Sequence, residues 1–336
     1  MKARIVCFVS LLLVSGLAGV ACGHGEPAFT DPAKAGPDFA VQGEYVGKAK
    51  IGGEEMAVGV QVMALGKHEF EATLFHGGLP GAGWKKGDKE EKAKGKPEGD
   101  EIEFAGKGWE AAIRGDTMTI EDSSDKEVGK LKKVERKSPT LGAAPPAGAV
   151  VLFDGTSADA WHNGHIVEGN LLGIGPTSKQ SFRDFTLHVE FRCPFMPEAR
   201  GQARGNSGVY LQNRYEIQVL DSFGAVGDGG DCGALYSIAP ELVNMSFPPL
   251  SWQTYDVDFT AARYDENGKK TTNARVTVKH NGVVVHDNLD IPHNTPGQIG
   301  NETPAKGETV LSGPIYLQDH GGDPEAFRNI WVVEKQ

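Results

Sequence analysis

The chain has 336 residues, with 34 Lys and Arg against 45 Asp and Glu, for a formal net charge of −11. That balance excludes the basic surface of a nucleic-acid-binding protein. Its 45 glycines and 8% aromatic residues suit many short strands joined by tight turns, and the length suffices for two ordinary domains.

Met1-Lys2-Ala3-Arg4 is a basic start, Ile5 to Val20 is almost wholly apolar, and small residues follow at Ala18, Gly19, Ala21 and Gly23. This is the order of a secretory signal, predicted over 1–22, and the apolar run is short for a membrane anchor. Cys22 follows Gly19-Val20-Ala21. Two outcomes stay open: a lipid on Cys22 that tethers the protein to a membrane, or plain signal cleavage nearby. Either predicts an exported protein, periplasmic or associated with the cell envelope. Beyond residue 22 only Cys193 and Cys232 remain, too few for a disulfide framework; one bridge or two buried thiols both fit.

Residues 23–39 hold Pro, Gly and Ala without periodicity and read as a tether. From Gly43 the pattern turns to strands. Met56 to Met63 is β-rich, and Glu69 to Phe75, Glu101 to Phe104 and Thr117 to Ile120 alternate polar with apolar. Lys85 to Gly99 is charged and reads as a mobile solvated loop. A small antiparallel meander or barrel is predicted over 40–136, with no chemical motif. Residues 137–148, rich in Pro, Ala and Gly, read as a linker.

Alternation resumes in the predicted second domain, 149–336. Phe185 to Arg192, Tyr255 to Phe259, Ala274 to Lys279 and Asn329 to Val333 follow a period of two, and Asn281-Gly282 is a hairpin signal. No long stretch has a helical period. The fold class is therefore all-β, with a two-sheet sandwich in the C-terminal half. His188 reads as a surface residue, and His280 and His286 as outward neighbours of the hairpin turn.

In Arg214 to Asp221, Tyr215, Ile217 and Val219 share the core face and Arg214, Glu216 and Gln218 the other. Near the C-terminus Ile315 and Leu317 oppose Tyr316, Gln318 and His320. Solvated faces usually carry Lys, Glu and Thr; these carry Gln, Arg, Tyr and His, which hydrogen-bond and stack. Asn206 and Tyr210 add amide and phenol groups upstream, and Asp221 and Asp319 lie at strand ends where side chains can turn into a cleft.

Leu152-Phe153-Asp154-Gly155 followed by Trp161, Gly205 to Leu211 and Arg214 to Ser222 resemble motifs of the 3-keto-disaccharide hydrolase family. So do Gly233 to Tyr236, Trp252 to Asp256, His280 to His286, Leu317 to Gly321 and Phe327 to Trp331. The resemblance spans about 150–333, in order, and leaves out 40–136. It implies a concanavalin A-like jelly roll with its site on the concave sheet, and activity on glycosides oxidised at the 3-position of glucose. It also allows a non-catalytic carbohydrate-binding module.

An ordinary glycosidase needs two carboxyl groups, which Glu216 and Asp221 could supply. A 3-keto sugar offers another route: a base removes the acidified C2 hydrogen and the C1 substituent departs by elimination. His320 and Glu216 are the expected proton-transfer residues, in either order. Arg214, Gln218 or Tyr236 could donate to the enolate or ring hydroxyls, with Asn206, Tyr210, Gln318 and Asp319 as further sugar contacts. No P-loop, GxGxxG after a strand, GxSxG elbow or HExxH pattern is present. No cofactor is expected, although Asp228, Asp231 and Asp323 lie in Gly-rich loops able to offer oxygen ligands to a structural calcium.

Overall fold

A computed structural model describes residues 21–23, 26–122, 124, 126–296 and 304–335. Of the export signal expected over 1–22, residues 1–20 lie outside the described residues. No helix among the described residues is long and apolar enough to cross a membrane.

The first half forms an eight-stranded closed barrel among the described residues. Its strands are β1 (Gly43–Ile51), β2 (Glu54–Gly66), β3 (Glu69–His76), β4 (Glu90–Glu98), β5 (Glu101–Gly106), β6 (Glu110–Arg114), β7 (Thr117–Glu121) and β8 (Glu127–Val134). Each pairs antiparallel with the next, and β8 closes on β1 with Leu131 opposite Gly47. Gly47 permits that closure, because a Cβ there would meet the Lys130 carbonyl oxygen at 2.4 Å. Tyr45, Val60, Phe70, Leu74, Phe104, Ile113, Met118 and Leu131 fill the interior. The charged stretch expected to be a mobile loop is largely β4. Its inward positions are Ala93 and Gly95, too small to announce a period of two, while Lys92, Lys94 and Lys96 face water.

The second half is a sandwich of two sheets. Its strands are β9 (Val150–Phe153), β10 (Trp161–His162), β11 (Ile166–Val167), β12 (Leu171–Leu172), β13 (Thr177–Phe182), β14 (Phe185–Arg192) and β15 (Asn206–Leu211), followed by β16 (Tyr215–Leu220), β17 (Gln253–Thr260), β18 (Ala274–His280), β19 (Val283–Ile291), β20 (Gly313–Leu317) and β21 (Ala326–Glu334). The larger sheet runs β11-β12-β21-β14-β17-β18-β19, with β9 also on β21; the smaller runs β10-β13-β20-β15-β16. Phe185, Leu187, Val189, Phe191, Val209, Ile217, Val219, Phe259, Ile315 and Leu317 bury the facing sides in one core. The Asn281-Gly282 turn forms as expected, both residues having positive φ of 50° and 81°.

The two halves interlock. Phe195, from the loop after β14, is fully buried in the barrel cluster, while Phe75 and Trp84 of the barrel pack into the sandwich core. The segment expected to be a free tether is docked: Phe29 exchanges backbone hydrogen bonds with Phe195 at 3.0 and 2.8 Å, and the Phe39 ring meets Phe195 edge-on at 5.3 Å.

The 137–148 segment lies on the outer face of the larger sheet. Thr140 donates to Asp256 at 2.6 Å, the Gly142 amide to Glu190 at 2.5 Å, and Asn329 to the Ala143 carbonyl at 3.0 Å. That cover corrects the surface placement of His188. It is buried, stacked on Trp331, with Nδ1 2.6 Å from Asp256. His280 and His286 are also buried, His280 against Gln253 at 2.9 Å and His286 against the Gly233 carbonyl at 2.8 Å. Burial, with a smaller push from Arg136, holds His280 down to about 3. Cys193 and Cys232 are buried thiols without a bridge.

Burial alone would lower the His188 pKa, but hydrogen bonds to Asp256 and Glu190 outweigh it and the net shift is upward. Its contribution to stability is therefore full below the unfolded value near 6.5 and is lost as pH rises through the folded value. The difference in melting temperature between wild type and His188→Gln should narrow between about pH 6 and pH 9; a constant difference would contradict the pairing. Phe195→Ala should cost about 3–5 kcal/mol and separate the urea transitions of barrel and sandwich, read by tryptophan fluorescence.

Candidate active site

The site is built on the outward face of the smaller sheet. In β16, Tyr215, Ile217 and Val219 point into the core, which turns Glu216 and Gln218 the other way. Register sets Tyr210 of β15 opposite both Glu216 and Tyr316 of β20, and Gly208 opposite Gln218. Gly208 makes room for the carboxyl group, since a Cβ there would meet Glu216 Oε1 at 2.4 Å.

Tyr210 donates to Glu216 Oε2 at 2.7 Å and accepts from Gln318 Nε2 at 3.1 Å. The Tyr210 and Tyr316 rings lie 5.4 Å apart. The Glu216 amide donates to Thr295 Oγ1 at 3.0 Å. Glu216 is 3% exposed; burial pushes its carboxyl up to about 7, against the smaller downward effect of the Tyr210 hydrogen bond.

A second network adjoins the first. Gln202 Oε1 accepts from Gln218 Nε2 at 2.9 Å and from Asn206 Nδ2 at 3.1 Å, and Gln202 Nε2 donates to the Gly230 carbonyl at 2.8 Å. The side-chain carbonyl oxygens of Asn206, Gln218 and Gln318 are buried without a hydrogen-bond partner among the described residues. Unmet buried acceptors are costly, and sugar hydroxyls are donors that would satisfy them.

Thus Glu216, Tyr210 and Gln318 come together, as do Asn206 and Gln218. His320 is half-buried in the turn after β20, two residues beyond Gln318. Asp319 is exposed; its carboxylate caps the Gly322 amide at 3.0 Å and its own amide donates to the Tyr316 hydroxyl at 3.3 Å. Tyr236 reaches β16 through its backbone amide, which donates to the Glu216 carbonyl at 3.0 Å, and its side chain is half-buried.

Two placements correct the sequence reading. The Asp221 carboxylate has no exposed side-chain surface and is paired with Arg204 Nε at 2.7 Å, so it holds a loop rather than serving as a second acid. Arg214, two residues before Glu216 and immediately ahead of β16, is buried and its side chain donates to the carbonyls of Gln212 at 3.1 Å and Ser312 at 3.2 Å. Loop residues Gln202, Arg204 and Thr295 escaped the sequence reading, because no periodicity marks a loop side chain. Asp228 and Asp231 stabilise one turn, whereas Asp323 accepts from the Asn206 amide at 3.1 Å. No group of three or more His, Cys, Asp or Glu suited to a metal ion occurs among the described residues. A cavity of about 770 Å³ lies elsewhere, between Phe39 and Glu44 of the barrel half and Leu250 and Trp252 of the sandwich.

The fold and site together are those of a β-sandwich domain with amide and carboxyl side chains gathered on the outward face of its smaller sheet. A family model described as a 3-keto-alpha-glucoside-1,2-lyase-like domain matches residues 148–333. The chain belongs to that family, with the barrel outside the matched segment. It is similar to a crystal structure named "putative glycosyl hydrolase" from Parabacteroides distasonis ATCC 8503. Identity there is 34%, over 56% of this chain and 85% of that one, with a TM-score of 0.50. A second protein of the same name and organism is 20% identical, over 56% of this chain and 99% of that one, with a TM-score of 0.38. No curated protein matches.

Because the folded state raises the Glu216 pKa from 4.5 to about 7, it binds that proton more tightly than the unfolded chain does. Stability should fall as pH climbs through this window, by on the order of 3 kcal/mol. Glu216→Gln keeps an acceptor for Tyr210 and has no charge to bury. It should melt above wild type at about pH 8.5 and near it at about pH 5; equal melting at both would contradict the buried carboxyl group.

Proposed function

We propose that this protein cleaves glycosides whose glucose ring carries a ketone at C3, with Glu216 as the base. The observation that carries the reading is the buried Glu216 carboxyl group, poised near neutrality under the Tyr210 hydroxyl. Ionised Glu216 takes the C2 proton. The C–H electrons move into the C2–C3 bond and the ketone becomes an enolate. The enolate re-forms the ketone as the C1–O bond breaks, leaving a C1=C2 double bond and expelling the aglycone. Water then adds across that double bond to give the free 3-keto sugar.

His320 is the proposed acid for the leaving group, and Tyr236 the proposed donor to the enolate oxygen. Asn206, Gln218 and Gln318 accept from ring hydroxyls. The ion pair between Asp221 and Arg204 favours this route over one needing two free carboxyl groups. We also read the protein as exported, on the strength of its N-terminal sequence.

Purified protein should release aglycone from a 3-keto-glycoside and, in deuterium oxide, place solvent deuterium at C2 of the product. Glu216→Gln should lower kcat by about 10²–10⁴-fold while sugar still binds. The rate should rise with pH through about 7 as Glu216 ionises, and Tyr210→Phe, which removes the interaction favouring the ionised form, should move that limb upward. Absence of aglycone release across several aglycones would overturn the proposal in favour of a sugar-binding module.

A further inference from the structure

Loop 196–204 carries no motif of its own, yet it supplies the one side chain that joins two amides of the site. Gln202 Nε2 is committed to the Gly230 carbonyl at 2.8 Å, so its Oε1 must face the other way. There it accepts from both Asn206 Nδ2 and Gln218 Nε2. Asn206 Nδ2 also donates to the Gln202 backbone carbonyl at 2.8 Å, and Gln218 Nε2 to the Gly230 carbonyl at 3.3 Å, so both NH2 groups are committed to this loop and its neighbour and the side-chain oxygens turn away from them. Both oxygens are then left buried and unpartnered among the described residues. Two acceptors whose nitrogens converge on one atom are neighbours, suited to neighbouring hydroxyl donors.

The loop is mounted on the barrel. Arg200 Nη2 donates to the Leu65 carbonyl at 2.6 Å and Arg204 Nη1 to the Ala64 carbonyl at 3.2 Å, both at the end of β2. Lys67 pairs with Glu198 at 3.2 Å. Gly66 lies against the same loop, where a Cβ would meet Glu198 Cγ at 2.5 Å. Arg204 also pairs with Asp221, at the end of β16, so one guanidinium links barrel, loop and site strand.

We infer that Gln202, held in place by the β2 end of the barrel, is the positioning residue that presents Asn206 and Gln218 as paired acceptors for adjacent ring hydroxyls of the sugar. The inference rests on reading this face as the sugar site, and it gives the barrel a part in substrate recognition.

The test separates binding from turnover. Methyl α-glucoside, which has no ketone and cannot eliminate, serves as the binding probe by calorimetry or NMR; the corresponding 3-keto-glycoside serves for kinetics. Gln202→Ala should weaken methyl α-glucoside binding about tenfold and raise KM similarly, with kcat little changed. Gln202→Glu still offers an oxygen to both amides but cannot donate to the Gly230 carbonyl, and should restore only part of the affinity. Arg200→Ala, which releases the loop from Leu65 but leaves Gln202 intact, should show a smaller loss in the same direction. Wild-type affinity in Gln202→Ala, or no binding of the probe by wild type, would overturn the inference. Wild-type affinity in Arg200→Ala would remove the barrel from it. If the probe binds as expected but no 3-keto-glycoside turns over, the reaction proposed above fails and the positioning role stands.

Discussion

The site depends on a carboxyl group placed where water is scarce. Glu216 can lie there because Gly208, on the neighbouring strand, has no side chain to oppose it. The Tyr210 hydroxyl then supplies one hydrogen bond, enough to orient the carboxyl group and not enough to cancel the cost of ionising it. A glycine diagonal to a glutamate on the neighbouring antiparallel strand thus makes room for the carboxyl group, and burial raises its pKa. The strands themselves are held by the opposite face, where Ile217, Val219, Val209 and Leu317 are buried in the sandwich core.

Around that pair the molecule is held together by contacts distributed along the chain. Phe195 sits in the barrel interior while Phe75 and Trp84 sit in the sandwich core, so neither half closes its hydrophobic cluster alone. The loops between β14 and β16 run along this seam, and Arg204 ties them down through Asp221 and the Ala64 carbonyl. On the other side of the sandwich, 137–148 covers His188 and Glu190, whose carboxylate is satisfied by Gly142, Arg328 and Asn329. These polar contacts replace solvent along an outer sheet face and fix the connection between the halves.

Alternation of side chains made much of this legible. Placing Ile217 and Val219 inward forces Glu216 and Gln218 outward, and the same logic brings Gln318 onto their face. The hairpin at Asn281-Gly282 follows from two residues that tolerate positive φ. Long-range partners were beyond reach: nothing local says that Asp221 meets Arg204, so a strand-end aspartate read as a candidate acid. Ala93 and Gly95 are small enough to hide a strand among lysines. His188 alternated as a surface residue should, and only the covering segment, distant in sequence, buries it. Gln202 lies in a loop, where position carries no periodic signal.

The central claim is that Glu216 is a buried base poised near neutral pH. Site-specific carbon NMR of its side-chain carboxyl group, with Glu216→Gln to assign the resonance, measures this directly. The account predicts a titration midpoint of about 7, moving higher in Tyr210→Phe. A midpoint at the ordinary glutamate value of 4.5, unchanged by loss of the tyrosine hydroxyl, would contradict it.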